Sequence, residues 1–231
     1  MAAILINTDS TEHTWAGIVI HAGGNKVLDS SNKQDLSEDS LLLTALTSGV
    51  AVVEDDGDTL DAETGLLYLK NQVEKVEENV EIQTAIGTRS ASVVEVTDAV
   101  YGIEFDINDH FYMSTRLDGL VNGEVSFNVS FVIDNNSSNK HIAFETKMKS
   151  ATLGESILGI DNTQTTLSPG ILLPETPYII FEHIVKYTSV TNKLTFFGIT
   201  RIDADDVGGD NPFGKSPIMI RLTKIYRKRL D

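Results

Sequence analysis

The chain of 231 residues contains no cysteine. Disulfides, cysteine-ligated zinc and thiol catalysis are therefore excluded. Basic residues are scarce, because 18 lysines and arginines stand against 34 acids, which gives a net charge of −16. A chain this acidic is not expected to bind nucleic acid or an anionic membrane. Its charge favours solubility, or docking onto a basic surface of a partner.

Long hydrophobic runs and catalytic motifs are also missing. No apolar run approaches the roughly 18 residues of a membrane-spanning helix, so membrane insertion is not predicted. The start, MAAILINTDSTEH, lacks the basic region and apolar core of a signal peptide. No paired-histidine motif, P-loop or GxGxxG is present, and GESIL at 154–158 lacks the second glycine of a nucleophile elbow. We therefore predict no catalytic residue, no metal site and no cofactor.

Residues 1–60 predict a small N-terminal α+β module that anchors the protein to a larger assembly. The predicted elements are strands at 3–7, 15–21 and 50–54, turns at 23–26 and 55–58, and one helix at 35–49. Ser37 is the expected N-cap of this helix, because Glu38 and Asp39 would then fall in its first turn. Gly49 stands where a left-handed C-terminal cap is expected.

Residues 61–86 predict an oligomerising helix. Five apolar residues alternate at spacings of three and four, which is the pattern of a coiled-coil seam: Leu66, Leu69, Val73, Val76 and Val80. Asp61 can cap the start of the helix. Valine at both seam positions favours a coiled coil of more than two helices, so a homotrimer is predicted. The alternative is an amphipathic helix packed on its own domain.

Residues 87–92 form a short polar linker, and residues 93–231 predict a β-sandwich domain. From residue 93 onward apolar and polar residues alternate with a period of two. The predicted strands are 93–96, 100–107, 110–117, 124–134, 141–149, 178–187, 193–202 and 217–226. About eight strands separated by turn signals indicate an antiparallel sandwich of jelly-roll type, so the chain is predicted to be mainly β.

An acidic loop joins the last two predicted strands. Its carboxylates are Asp203, Asp205, Asp206 and Asp210. An EF-hand loop starting at Asp203 fails, because Val207 and Gly214 stand where oxygen ligands are required. A looser calcium site on a sandwich loop is the alternative to a solvated connection.

The C-terminal strand ends in a basic cluster of Lys224, Arg227, Lys228 and Arg229. One interpretation is a solvated strand end. The other is an electrostatic contact between this cluster and the Asp203–Asp210 loop of a neighbouring subunit.

Two segments carry a resemblance to a known family. They are YGIEFDINDHFYMSTRLDGLVNGEVSFNVSFVIDN and FFGITRIDADDVGGDNP, the latter followed by IMIRLTKIYRK. From about residue 100 to 227 the chain resembles a β-sandwich domain of tailed-bacteriophage virion proteins. The strand KHIAFETKM lacks the tryptophan that related chains often carry there. The resemblance implies a structural virion role.

Three functions follow as hypotheses. The first is a structural virion protein of a tailed phage, homotrimeric, attached to the capsid, neck or tail, assembled in the host cytoplasm and released by lysis. The second is a receptor- or glycan-binding tip that contacts host surface glycans through exposed aromatics, with candidates Phe111, Tyr112, Tyr178 and Phe213. The third, a polysaccharide-degrading enzyme, is not expected, because no acid pair stands out.

Overall fold

The computed structural model describes residues 3–80, 91–97, 100–134, 139–151, 163–190, 194–212 and 215–230. The chain divides into two compact units. The N-terminal unit comprises Met1–Lys75, Gly119–Asn122 and Arg227–Asp231, and the sandwich unit comprises Val76–Asp118 and Gly123–Tyr226.

The N-terminal unit combines short strands with three short helices. Its strands are β1 (Ile4–Asn7), β2 (His13–Trp15), β3 (Ile18–Ile20), β4 (Asn25–Val27), β5 (Ala51–Asp55) and β6 (Asp58–Leu60). Its helices are α1 (Lys33–Glu38), α2 (Ser40–Ser48) and α3 (Ala62–Leu69). The main sheet has the order β4-β1-β5-β6, and β2 pairs with β3 as a separate hairpin.

Alternation along β1 and β5 sets the core of this unit. Leu5 and Val53 are cross-strand partners and are both fully buried, while their chain neighbours are partly exposed. Trp15 and the apolar sides of the helices complete the core. Buried Asn7 fixes the β2–β3 hairpin, because its amide donates to the carbonyls of Thr11, Ile20 and His21. This satisfies a polar group that would otherwise be costly to bury.

The prediction of a single helix at 35–49 is wrong in one respect, because the structure has two helices there, α1 and α2. Asp39 is extended, and its carboxylate accepts hydrogen bonds from the backbone of Leu41 and Leu42, so it caps α2. The predicted N-cap, Ser37, instead donates to the carbonyl of Gln34 inside α1. The predicted cap at Gly49 is confirmed, with φ of 77°.

The remaining strands belong to two larger sheets. They are β7 (Val73–Val80), β8 (Ser92–Thr97), β9 (Val100–Glu104), β10 (His110–Arg116), β11 (Leu120–Val132), β12 (His141–Ala151), β13 (Gln164–Leu167), β14 (Ile171–Leu172), β15 (Phe181–Tyr187), β16 (Leu194–Ile202) and β17 (Ile218–Arg229). The six-stranded sheet has the order β15-β11-β17-β9-β8, with β7 also paired to β17. The five-stranded sheet has the order β10-β16-β12-β13, with β14 also paired to β12.

These sheets form a sandwich of jelly-roll order. Successive strands β9, β10, β11 and β12 alternate between the sheets, and so do β15, β16 and β17. Aromatic rings from the two inner faces meet: Phe131 of β11 stacks on Phe144 of β12 at 4.6 Å, and Phe127 of β11 on Phe197 of β16 at 4.2 Å. The predicted mainly β chain with an antiparallel sandwich is confirmed.

The predicted helix over 61–86 is wrong beyond Leu69. Asp61 does cap α3, but Asn71 adopts a left-handed conformation (φ 54°) that ends the helical path. Val73, Val76 and Val80 lie on strand β7, where β-branched side chains are favoured. Leu66 and Leu69 are on α3, so the five residues share no helical seam. Residues 81–90, including most of the predicted linker, lie outside the described residues, and the homotrimer stays a prediction.

His183 lies on the inner face of β15, where its titration is expected to make the stability of the sandwich unit depend on pH. Its ring packs against Phe144 at 6.0 Å, and its buried Nε2 has no hydrogen-bond partner among the described residues. Burial lowers the pKa of His183. The folded state therefore disfavours the protonated form of His183. The contribution of neutral His183 to the free energy of unfolding is complete above the unfolded pKa of about 6.5 and is lost as the pH falls below that value.

We expect the urea midpoint of the sandwich unit to fall more between pH 8 and pH 5 in the wild type than in a His183→Phe variant. Phenylalanine keeps the ring contact with Phe144 and does not titrate. Parallel midpoint curves for the two proteins would show that His183 does not contribute to the pH dependence.

Candidate functional site

The structure describes three of the four aromatic residues proposed for ligand contact, and they differ in their exposure to solvent. Phe111 is 1% exposed and belongs to the core, so its prediction as a binding residue is wrong. Tyr112 and Tyr178 are 37% and 50% exposed. Phe213 lies outside the described residues. Trp15, the single tryptophan, is buried beneath His13, whose ring stacks on it at 5.3 Å.

Tyr112 lies on the outer face of the five-stranded sheet. Its cross-strand partner on β16 is Gly198, and a Cβ added to Gly198 would lie 2.3 Å from two ring carbons of Tyr112. The tyrosine ring therefore rests directly on the glycine backbone, in space that any other residue would fill. The ring of His110, the next outward residue on β10, lies 5.1 Å from it.

Strand register places polar residues around this ring. Gly198 pairs with Lys147 of β12, and Thr200 pairs with both His110 and Glu145. We call this surface the Tyr112 face. Its residues are His110, Tyr112, Ser114, Glu145, Lys147, Lys149, Thr165, Leu167, Phe196, Gly198 and Thr200.

The Tyr112 face has a charge opposite to that of the whole chain. Lys147 and Lys149 against Glu145 give +1, compared with −16 for the chain. Lys147 forms an ion pair with Glu145, and this hydrogen bond raises the pKa of Lys147. The lysine therefore remains a cation at neutral pH. Hydroxyls of Ser114, Thr165 and Thr200 add donors and acceptors.

The acidic residues lie between β16 and β17, as predicted. Residues Ala204–Val207 form a single 3-10 turn, whose N-terminus is capped by Asp203 accepting from the Asp205 backbone at 3.0 Å. Asp210 pairs with Lys140 at 2.6 Å. Asp205 and Asp206 are exposed. Within the described ranges no three acidic or histidine side chains are grouped to hold a metal ion.

The basic C-terminal cluster is partly engaged within its own chain. Lys224 is 8% exposed and contacts Glu78 at 2.8 Å, and Arg227 is 5% exposed and contacts Asp55 at 2.5 Å. These ion pairs within the chain neutralise the buried charges of Lys224 and Arg227, so neither residue requires an acidic partner from a neighbouring subunit. Lys228 is half-buried and Arg229 exposed. Contact of the cluster with the Asp203–Asp210 loop of another subunit stays a prediction.

A separate pocket of about 280 Å³ lies in the N-terminal unit. It is lined by His13, Thr14, Trp15, Leu41, Thr44, Ala45, Ser48 and Val50. Trp15 is only 2% exposed, so its ring offers no open aromatic surface there. In the part of the chain that the structure describes, no helix is long and apolar enough to cross a membrane.

No family model matches the sequence, and no curated protein matches it. Similar solved structures include a CBM35 from Cellvibrio japonicus Abf62, at 7% identity and TM-score 0.42, covering 68% of this chain and 99% of that one. The CBM36-1 domain of a multidomain xylanase from the hindgut metagenome of Trinervitermes trinervoides has 14% identity and TM-score 0.37, covering 65% and 96%. TmCBM61 in complex with β-1,4-galactotriose has 10% identity and TM-score 0.32, covering 64% and 90%.

Proposed function

We propose that the protein binds glycans through the Tyr112 face, without catalysing a reaction on them. The observation that carries this proposal is the Tyr112 ring packed against Gly198 on the outer face of the sheet, with 37% of the residue exposed to solvent. The faces of a sugar ring present C–H groups, which pack favourably on the electron-rich face of an aromatic ring.

The residues around Tyr112 can form hydrogen bonds with the hydroxyl groups at the edge of a sugar ring. Hydroxyl groups on a sugar both donate and accept hydrogen bonds, and the Tyr112 face offers lysine donors, a glutamate acceptor and hydroxyls that do both. These groups sit on paired strands, so little ordering is required on binding. The excess of lysine over glutamate favours sugars that carry carboxylates, and their binding should weaken as salt rises.

The experiment is a glycan array followed by calorimetric titration of the sugars that bind. Tyr112→Ala should lose at least about tenfold in affinity, equivalent to ~1.4 kcal/mol, because the stacking surface is removed. Gly198→Ala should cause a comparable loss, because its methyl group displaces the Tyr112 ring from the sheet. Both variants keep the inner face of the sandwich intact.

Tyr178→Ala is the matched control, because Tyr178 is exposed but lies outside the Tyr112 face. It should bind with wild-type affinity. An array without any bound glycan, or a Tyr112→Ala variant that binds as well as the wild type, contradicts the proposal.

The finer predicted role, a homotrimeric structural protein in a phage virion, stays a prediction beside this one. A glycan-binding face is compatible with the predicted receptor-binding tip of such a particle. Locating the protein in intact particles and counting its copies would test that role, and its absence from particles would exclude it.

A further inference from the structure

Among the described strands, β15 lies at one edge of the six-stranded sheet. It pairs with β11 on one side, and no other described strand pairs with its second side. The strand and the residues before it expose apolar side chains: Ile180 and Ile184 are each 61% exposed. An apolar edge strand of a sheet is a template for adding another strand.

The outward side chains of β15 have a self-complementary charge pattern. Glu182, Ile184 and Lys186 are exposed in succession, while the alternate residues face the inside of the sandwich. Two antiparallel copies centred on Ile184 would place Glu182 of each chain opposite Lys186 of the other. Ile184 would then meet its own copy at the two-fold axis.

Other arrangements lose this complementarity. Parallel pairing in register puts Glu182 beside Glu182 and Lys186 beside Lys186, and like charges directly opposite each other are destabilising. Antiparallel pairing centred on residue 183 puts Glu182 against Ile184, and centring on residue 185 puts Lys186 against Ile184. Both leave a charge opposite an aliphatic side chain.

We propose that β15 is the interface for a second copy of this chain, paired antiparallel about Ile184 into a two-fold dimer. The six-stranded sheet then continues from one protomer into the next, as in other interactions by strand addition. One seven-residue strand makes a small interface, so the dimer should form reversibly with rising concentration. The proposal does not depend on the Tyr112 face, which lies on the other sheet.

The first test is sedimentation equilibrium of the full chain from low to high micromolar concentration. We expect a monomer–dimer equilibrium whose dissociation constant rises at least about tenfold in Ile184→Lys, because two ammonium groups would meet at the axis. Leu172→Lys is the matched control, since Leu172 is 59% exposed but lies on β14. It should dimerise as the wild type does.

The second test fixes the register. Glu182→Lys alone and Lys186→Glu alone should each weaken self-association, because like charges would face each other twice across the axis. An equimolar mixture of the two variants should associate again, since each lysine then faces a glutamate. Glu182 also contacts Ser130 and Lys186 also contacts Glu124 within the same chain. Circular dichroism of each variant checks that losing these intrachain contacts has not changed the fold.

Three results overturn the proposal. They are a monomer at every concentration, self-association that Ile184→Lys does not change, and a mixture that associates no better than its separate variants. An oligomer that survives Ile184→Lys would place the interface elsewhere on the chain.

Discussion

Replacing Phe131 by alanine is expected to lower the free energy of unfolding of the sandwich unit by about 3–5 kcal/mol. Phe131 is fully buried and stacks at 4.6 Å on Phe144 of the facing sheet. It also contacts Phe105 and Phe181 at 6.4 and 5.7 Å between ring centroids. Truncation therefore removes contacts to both sheets and leaves a cavity between them. Urea denaturation followed by far-ultraviolet circular dichroism measures the loss.

Phe196→Ala is the control for this substitution. Phe196 is half-buried on the Tyr112 face, on the opposite side of β16 from the core residue Phe197. Its truncation should destabilise the sandwich by well under half of the loss at Phe131, because no enclosed cavity forms. Equal losses for the two variants would show that the sheets are not held together by the Phe131 cluster.

The period-two pattern is sufficient to predict most of the sandwich. The alternation of Val125, Phe127, Val129 and Phe131 predicts which side of β11 is buried, and all four are buried. Side chains alternate between the faces of any strand, so this inference needs no knowledge of the partner strands. The short strands β13 and β14 are not predicted, because two to four residues carry too little periodicity.

Strand β7 shows where the pattern is ambiguous. Val73, Val76 and Val80 have spacings of three and four, which favour a helix, while their β-branched side chains favour a strand. Long-range contacts decide in favour of the strand: Asn79 accepts hydrogen bonds from Arg221 and Thr223 of β17. A partner so distant in sequence leaves no signal in the local spacing.

The candidate site is predictable only in part for the same reason. The sequence identifies Tyr112 only as one of four candidate aromatics, together with Phe111, which is buried. Gly198 and Lys147 become relevant only through the register of β10, β16 and β12, which brings three distant segments into one row. A glycine within an apolar strand is the one local signal, since it marks a close approach of another group.

Charge patterning separates the two proposed surfaces. Around Tyr112 an excess of lysine accompanies a partly exposed aromatic ring, which suits a ligand rich in oxygen. Along β15 one acid and one base flank an exposed isoleucine, which suits antiparallel pairing with a second copy of the same strand. Because the two surfaces lie on different sheets, Ile184→Lys should leave the glycan affinity of the monomer unchanged, and Tyr112→Ala should leave dimerisation unchanged.

Replacing Arg227 by methionine is expected to destabilise the N-terminal unit by about 3–5 kcal/mol. The Arg227 guanidinium donates to the Asp55 carboxylate at 2.5 Å, to the Asp55 carbonyl at 3.2 Å and to Asp58 at 3.4 Å. Arg227 and Asp55 are nearly buried, so removing the cation leaves an uncompensated carboxylate. Fluorescence of the single tryptophan, Trp15, reports on this unit during denaturation, because it lies in the unit's core.

Lys228→Met is the matched control, since Lys228 is the neighbouring cation and is only half-buried. It should shift the unfolding free energy by about 0.5 kcal/mol or less. Asp55→Asn should also destabilise, and the double variant should lose less than the sum of the two single losses, because both substitutions break the same pair. Additive losses would mean that Arg227 stabilises the unit through contacts other than its pair with Asp55.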